Sequence, residues 1–149
     1  MPAIAAWDHY ITTGDIQLLY EMLPGIIKYA EEADARYDEE MQLVHATMCL
    51  AQDAFEEPEN GGYCLGTEIA FALMYQDVAR ICEVTGCYPE RIKFWESRSK
   101  EMLASIKEKY WNEEKECFTS GPIGSEAYEK GWWETVSYTH LRAHETAAN

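Results

Sequence analysis

The stretch TEIAFALMYQDVARICEVT, residues 67–85, decides how the rest of the chain is read. Ile69, Ala70, Phe71, Ala72, Leu73, Met74, Tyr75, Val78, Ala79 and Ile81 leave almost no side of a helical turn polar. A helix that is apolar all round is one that its neighbours cover, so this segment is predicted to be a buried helix. Gly86 offers it a left-handed terminator. Pro89 suits the start of the next helix, where a missing N–H costs nothing.

On the C-terminal side, residues 89–112 place Ile92, Trp95, Met102, Leu103, Ile106 and Tyr110 on one face. Glu96, Lys100, Glu101, Lys107 and Glu108 occupy the other, the pattern of an amphipathic outer helix. On the N-terminal side, Ala3 to Thr13 carries Ile4, Trp7 and Ile11 at helical spacing. That helix stops at TTGD, where Gly14 can close it and Asp15 can cap the second helix. Residues 16–38 bear the apolar stripe Ile16, Leu19, Met22, Leu23, Ile26, Ile27, Ala30 and Ala33, opposite Glu21, Lys28, Glu31, Glu32 and Arg36. Pro24 and Gly25 are expected to kink this helix or split it in two.

The order is therefore helix, outer helix, long loop, buried helix, outer helix, and no strand is needed. It reads as an all-α chain of helical hairpins, and alternating inner and outer helices suit part of an α/α barrel. Periodicity alone equally allows a helical repeat array or a four-helix bundle.

The long connection, residues 41–66, is where chemistry is expected. Its centre, AQDAFEEPENGGYCLG, gathers Asp53, Glu56, Glu57 and Glu59 beside Asn60, Gly61, Gly62 and Tyr63. Glycosidic cleavage uses two carboxyl groups across the sugar, one protonated as acid and one ionised as base or nucleophile, and this loop could supply them. The same composition also describes an ordinary solvated loop. Tyr63, Trp132 and Trp133 are candidate stacking surfaces for sugar rings, since flat aromatic faces cover apolar sugar faces at little entropic cost. Trp132 and Trp133 could equally begin another buried helix, and Glu134 after them reads as an ordinary acid or as a further site acid. His9 and His45 read as hydrogen-bonded structural residues.

Composition removes several other functions. With 12 basic and 27 acidic residues the formal net charge is −15, a surface that repels phosphate backbones and anionic lipid. Neither a nucleic-acid partner nor a membrane is expected, and no apolar run is long enough to span one. The five cysteines, Cys49, Cys64, Cys82, Cys87 and Cys117, are odd in number and lack metal-site spacing. They are expected to be reduced, acting as small apolar residues. No cofactor and no metal is implied. The start, MPAIAAWDHY, lacks the features of a secretory leader, which favours the cytoplasm unless a leader lies upstream.

Residues 136–149, VSYTHLRAHETAAN, differ abruptly in composition from residues 1–135. VSYTHLRAHET resembles a peptide translated from sequencing-adapter DNA, so residues 1–135 are taken as the domain fragment and 136–149 as an artefactual tail. The alternative is a polar helix whose His140 and His144 share one face.

Beyond the residue patterns stands a resemblance. WDHYITTGDIQLLYEMLP looks like the W-x-x-Y-x-x-T-G-D-x-x-x-L-x-x-x-x-P element of six-hairpin (α/α toroid) glycoside hydrolases. LGTEIAFALMYQDVARICEVTG is similar to the inner helix that comes next there, and IKEKYWNEEKECFTSG to the next outer helix and its exit. Over residues 3–134 the chain resembles bacterial α-L-rhamnosidase-like proteins. The resemblance implies about two of the six hairpins of an (α/α)6 barrel, in an enzyme that cleaves glycosides with carboxylate acid/base chemistry and usually inverts. It implies a carbohydrate substrate and an isolated fragment without activity. Nothing matches a catalytic motif residue by residue, and the general acid is expected upstream of the T-G-D element. A sugar epimerase on a similar toroid and a non-catalytic helical repeat module are the alternatives.

Overall fold

The computed structural model describes residues 1–46 and 61–131. These residues form five helices: α1 (Pro2–Thr13), α2 (Ile16–Asp34), α3 (Leu65–Thr85), α4 (Ile92–Tyr110) and α5 (Glu126–Lys130). A short 3₁₀ turn, Pro89–Arg91, leads into α4. Two minimal ribbons complete the set, β1 (Tyr37–Asp38) with β2 (Leu43–Val44), and β3 (Trp111–Asn112) with β4 (Cys117–Phe118). The chain is all-α in class, as expected, and the ribbons correct the expectation that no strand would occur. Each ribbon is two residues per strand, too short to produce an alternating pattern.

The chain divides into two compact units. The first holds residues 1–37 and 70–101. Here α1 ends at Gly14, whose φ of 75° is the left-handed conformation glycine adopts without penalty, with its N–H on the Tyr10 carbonyl. Asp15 then caps α2 by accepting the Leu18 N–H at 3.2 Å. Of the predicted stripe, Leu19, Leu23, Ile26, Ile27, Ala30 and Ala33 are buried, whereas Met22 is half-buried and Ile16, at the start of the helix, is exposed. α2 runs unbroken through Pro24 and stops at Asp34, four residues short of expectation. Tyr75 of α3 stacks on Trp95 of α4 with ring centroids 5.4 Å apart and planes 6° from parallel. Arg98 lies 3.7 Å above the Tyr37 ring while its Nε donates to Asp34 at 2.8 Å.

The second unit holds residues 38–69 and 102 onward. Its first feature is a tight turn after β1, in which Gln42 takes a positive φ of 54° and donates its N–H to the Asp38 carbonyl at 2.7 Å. The second ribbon pairs Trp111 with Phe118 and Asn112 with Cys117, the two aromatic rings meeting edge to face at 5.2 Å. Beyond it, the Ser120 carbonyl accepts the Leu65 N–H at 2.9 Å, fixing the start of α3. Ser125 caps α5 through the Tyr128 N–H, and Gly131 at φ 67° closes it. Cys82, Cys87 and Cys117 are free thiols, whereas Cys64 is disulfide-bonded, against the expectation of reduced cysteines throughout.

A candidate carboxylate site around Tyr63

Of the residues singled out in the sequence, Tyr63 is placed, whereas Asp53, Glu56, Glu57, Glu59, Trp132 and Trp133 lie outside the described residues. Gly61 and Gly62 precede Tyr63 with φ values of 65° and 83°, a backbone that larger residues rarely adopt. The Gly62 carbonyl accepts the Ala46 N–H at 2.9 Å, bringing the two ends of the connection together. The Tyr63 carbonyl in turn accepts the Tyr110 hydroxyl at 2.9 Å, which anchors it to α4. His45 meets the Tyr63 ring edge to face at 5.3 Å, a packing role in line with the structural reading of that histidine.

The Tyr63 hydroxyl donates to Asp38 Oδ2 at 2.9 Å. Partial burial and the Asp38 charge together push the phenol up to about 12. Asp38 Oδ1 meanwhile accepts the N–H groups of Glu40 and Met41, each at 2.9 Å. Those donors, the Met41 N–H foremost and then the Tyr63 hydroxyl, hold the Asp38 carboxyl below its ordinary value. Asp38 is thus an ionised acceptor held by three donors.

Glu68, in the first turn of α3, is its opposite. It is fully buried, Oε2 accepts the Val44 N–H at 2.9 Å, and Oε1 has no partner among the described residues. Burial drives its carboxyl well above the usual range, and the Val44 N–H offsets only part of that. A helix N-terminus favours an anion by up to about 2 kcal/mol. Removing a carboxylate from water costs several kcal/mol, so burial wins and the neutral acid is the form the site holds. Two carboxyls driven in opposite directions are the usual arrangement of an acid and a base. Sealed from solvent as it is, Glu68 does not reach a substrate in this arrangement.

The first unit holds a third perturbed acid, Asp77 on α3. Burial, with a smaller contribution from Asp8, raises it to about 6 against the lowering effect of Arg80, whose Nη1 donates to it at 3.0 Å. Arg80 also lies 5.8 Å from the centroid of the Trp7 ring. A cavity of about 310 Å³ in the same unit is lined by Glu31, Asp34, Glu90, Arg91, Phe94 and Trp95. Its Glu31 pairs with Arg91, and its Asp34 with Arg98. Glu68 and Asp77 were not among the residues singled out in the sequence. The signal that could have found them is an acid at an otherwise apolar position of residues 67–85, where a charge must be neutralised or paired. Among the described residues no group of three His, Cys, Asp or Glu side chains could hold a metal, and no helix is long and apolar enough to cross a membrane.

No protein-family model and no curated protein sequence matches the chain. Among solved structures it is similar to a GH78 family rhamnosidase of Bacillus sp. GL1, with a TM-score of 0.67 at 15% sequence identity. The match covers 79% of this chain and 12% of that enzyme, so the chain spans about an eighth of its length. A likeness at this identity defines the class by fold: helical hairpins arranged as in a stretch of a rhamnosidase.

Proposed function

We propose that this chain is part of a glycoside hydrolase that cleaves glycosidic bonds by carboxylate acid/base chemistry, with α-L-rhamnosides the first substrates to test. The observation that carries the reading is the backbone likeness to a rhamnosidase over 79% of the chain. The WDHYITTGDIQLLYEMLP element, which resembles six-hairpin glycosidases on separate grounds, supports it. Asp53, Glu56, Glu57 and Glu59 are the proposed loop acids, with Tyr63, Trp132 and Trp133 as sugar-stacking surfaces. Asp38 accepts the Tyr63 hydroxyl and so fixes the orientation of that ring. The reading calls for no metal and no cofactor.

The spacing of the two catalytic carboxyls would set the stereochemistry, about 6.5–9.5 Å for inversion and about 5–5.5 Å for retention. The test is hydrolysis of a panel of nitrophenyl glycosides, α-L-rhamnoside first, by the protein encoded by the uninterrupted reading frame around residues 3–134. Release of nitrophenol by that protein, and none by the 149-residue chain, is the expected result. A folded full-length protein inert on the whole panel would refute the reading. Turnover that epimerises a free sugar instead would favour the epimerase alternative.

A further inference from the structure

We propose that Glu68 is a proton-loaded latch. With its carboxyl neutral it stays seated beneath β2 and takes the Val44 N–H, and on losing the proton it leaves that seat and frees the turn from Asp38 to Val44. The inference does not depend on the glycosidase reading.

The geometry supplies three parts of the device. Glu68 has no exposed surface, so its charge state cannot change in place without a solvent path. Its one described bond, 2.9 Å from the Val44 N–H to Oε2, joins α3 to a residue 24 positions earlier in the chain. Oε1 has no partner among the described residues, so an ionised carboxylate in this seat would leave half its charge unsolvated. The turn it holds is otherwise fastened at its far side, where Ser105 Oγ donates to the Met41 carbonyl at 2.6 Å and Lys109 Nζ to the Glu40 carbonyl at 3.3 Å.

Among the described residues, the titratable groups around the seat do not supply a counter-charge. From the turn comes Asp38, an anion satisfied by its own donors. From the segment beyond it come His45, packed on the Tyr63 ring, and Tyr63, whose hydroxyl is committed to Asp38 and whose own proton the Glu68 charge would help retain. From α4 comes Lys109, which acts on Asp38, whereas burial and the Val44 N–H are what act on Glu68. Ionisation therefore has one low-energy outcome, withdrawal of the carboxylate to water with loss of the Val44 bond.

The experiment is hydrogen exchange of the Val44 amide in the full chain, monitored by mass spectrometry or NMR from about pH 5 to about pH 9 and corrected for intrinsic rates. Protection should fall by at least about tenfold across the range, one decade for each pH unit through which the opening releases a proton. Glu68→Gln keeps an acceptor for Val44 but cannot ionise, so its protection should be flat. Wild-type protection independent of pH, or an equal fall in Glu68→Gln, would overturn the latch. Should the variant not fold, the infrared carbonyl band of a protonated acid decides, measured in Asp77→Asn so that the other raised carboxyl does not contribute. In that background its presence at neutral pH and its loss in step with Val44 protection support the latch, and its absence refutes it.

Discussion

Asp38 spends both carboxylate oxygens within one turn of chain and one tyrosine: Oδ1 takes the Glu40 and Met41 N–H groups, and Oδ2 takes the Tyr63 hydroxyl, all at 2.9 Å. A group whose folded value is depressed contributes stability above its unfolded value, and loses it as pH falls through the folded one. Tyr63→Phe removes one of the three donors, so the Asp38 carboxyl should titrate higher in the variant. The acid side of the stability profile should move up with it, at a cost of about 1 kcal/mol near neutral pH. Carbon NMR titration of Asp38 alongside urea unfolding checks both.

Asp77 has the reverse sign. Its folded value of about 6 lies above the ordinary 3.8, so its contribution is complete below about pH 4 and is lost as pH rises through about 6. Asp77→Asn should remove that part of the decline in urea midpoint. Arg80→Ala, which deletes the side chain holding the value down, should push Asp77 higher still. An Asp77→Asn profile parallel to the wild type across this window would contradict the assignment.

The Tyr75–Trp95 stack lies in the core of the first unit, with Trp95 only 1% exposed. Trp95→Ala should cost about 3–5 kcal/mol, the lost transfer energy plus the cavity left behind. Trp95→Phe should cost less because it retains an aromatic partner for Tyr75. Chemical denaturation of the three proteins measures the difference.

Gly14 isolates a backbone effect. A Cβ added there meets nothing within 4 Å, yet φ is 75°. Gly14→Ala should therefore destabilise by about 1–2 kcal/mol through the left-handed conformation alone. A change within error of zero would mean that the α1–α2 turn relaxes.

Of the exposed large apolar residues among those described, Ile123 lies in the second unit and Ile11, Ile16, Tyr20, Val84, Tyr88 and Phe94 lie in the first. The Tyr20 hydroxyl donates to the Thr85 carbonyl at 3.1 Å, which sets the α2 side of this group beside the end of α3. Contiguous apolar surface drives association, so the isolated chain should self-associate at micromolar concentration. Ile16→Lys combined with Val84→Lys should lower the sedimentation-average mass. A monomeric wild type would show that these side chains stand singly.

How much of the fold the sequence discloses depends on the physics of each element. α2 and α4 were legible because a helix writes its buried face as a stripe, and α3 because it is apolar almost all round; in α1 the helix was legible but its inner face was not, since Ala3 and Ala6 are buried and Ile11 is exposed. Gly14 and Asp15 mark the α1–α2 boundary with a backbone conformation and a cap. The end of α2 was overextended because Ala35 and Arg36 are compatible with helix, and it is the Asp38 turn, stabilised by Tyr63 from a distant part of the chain, that takes the backbone away. α5 is five residues long and carries no stripe. At the candidate site Tyr63 was legible as an aromatic beside two glycines. Asp38 was not, since what sets it apart is the supply of N–H donors in the fold, which no spacing encodes; Glu68 showed only as an acid on an apolar helix, and its complete burial is set by the fold.

Whether this chain is a piece of a larger glycosidase is decided by resequencing the source DNA upstream of Met1 and across the Thr135 junction. The frame should continue into further helical hairpins, and VSYTHLRAHETAAN should disappear. A frame that begins at Met1 and stops at Asn149 would contradict this, leaving a small helical protein with the fold of a rhamnosidase segment and no case for catalysis.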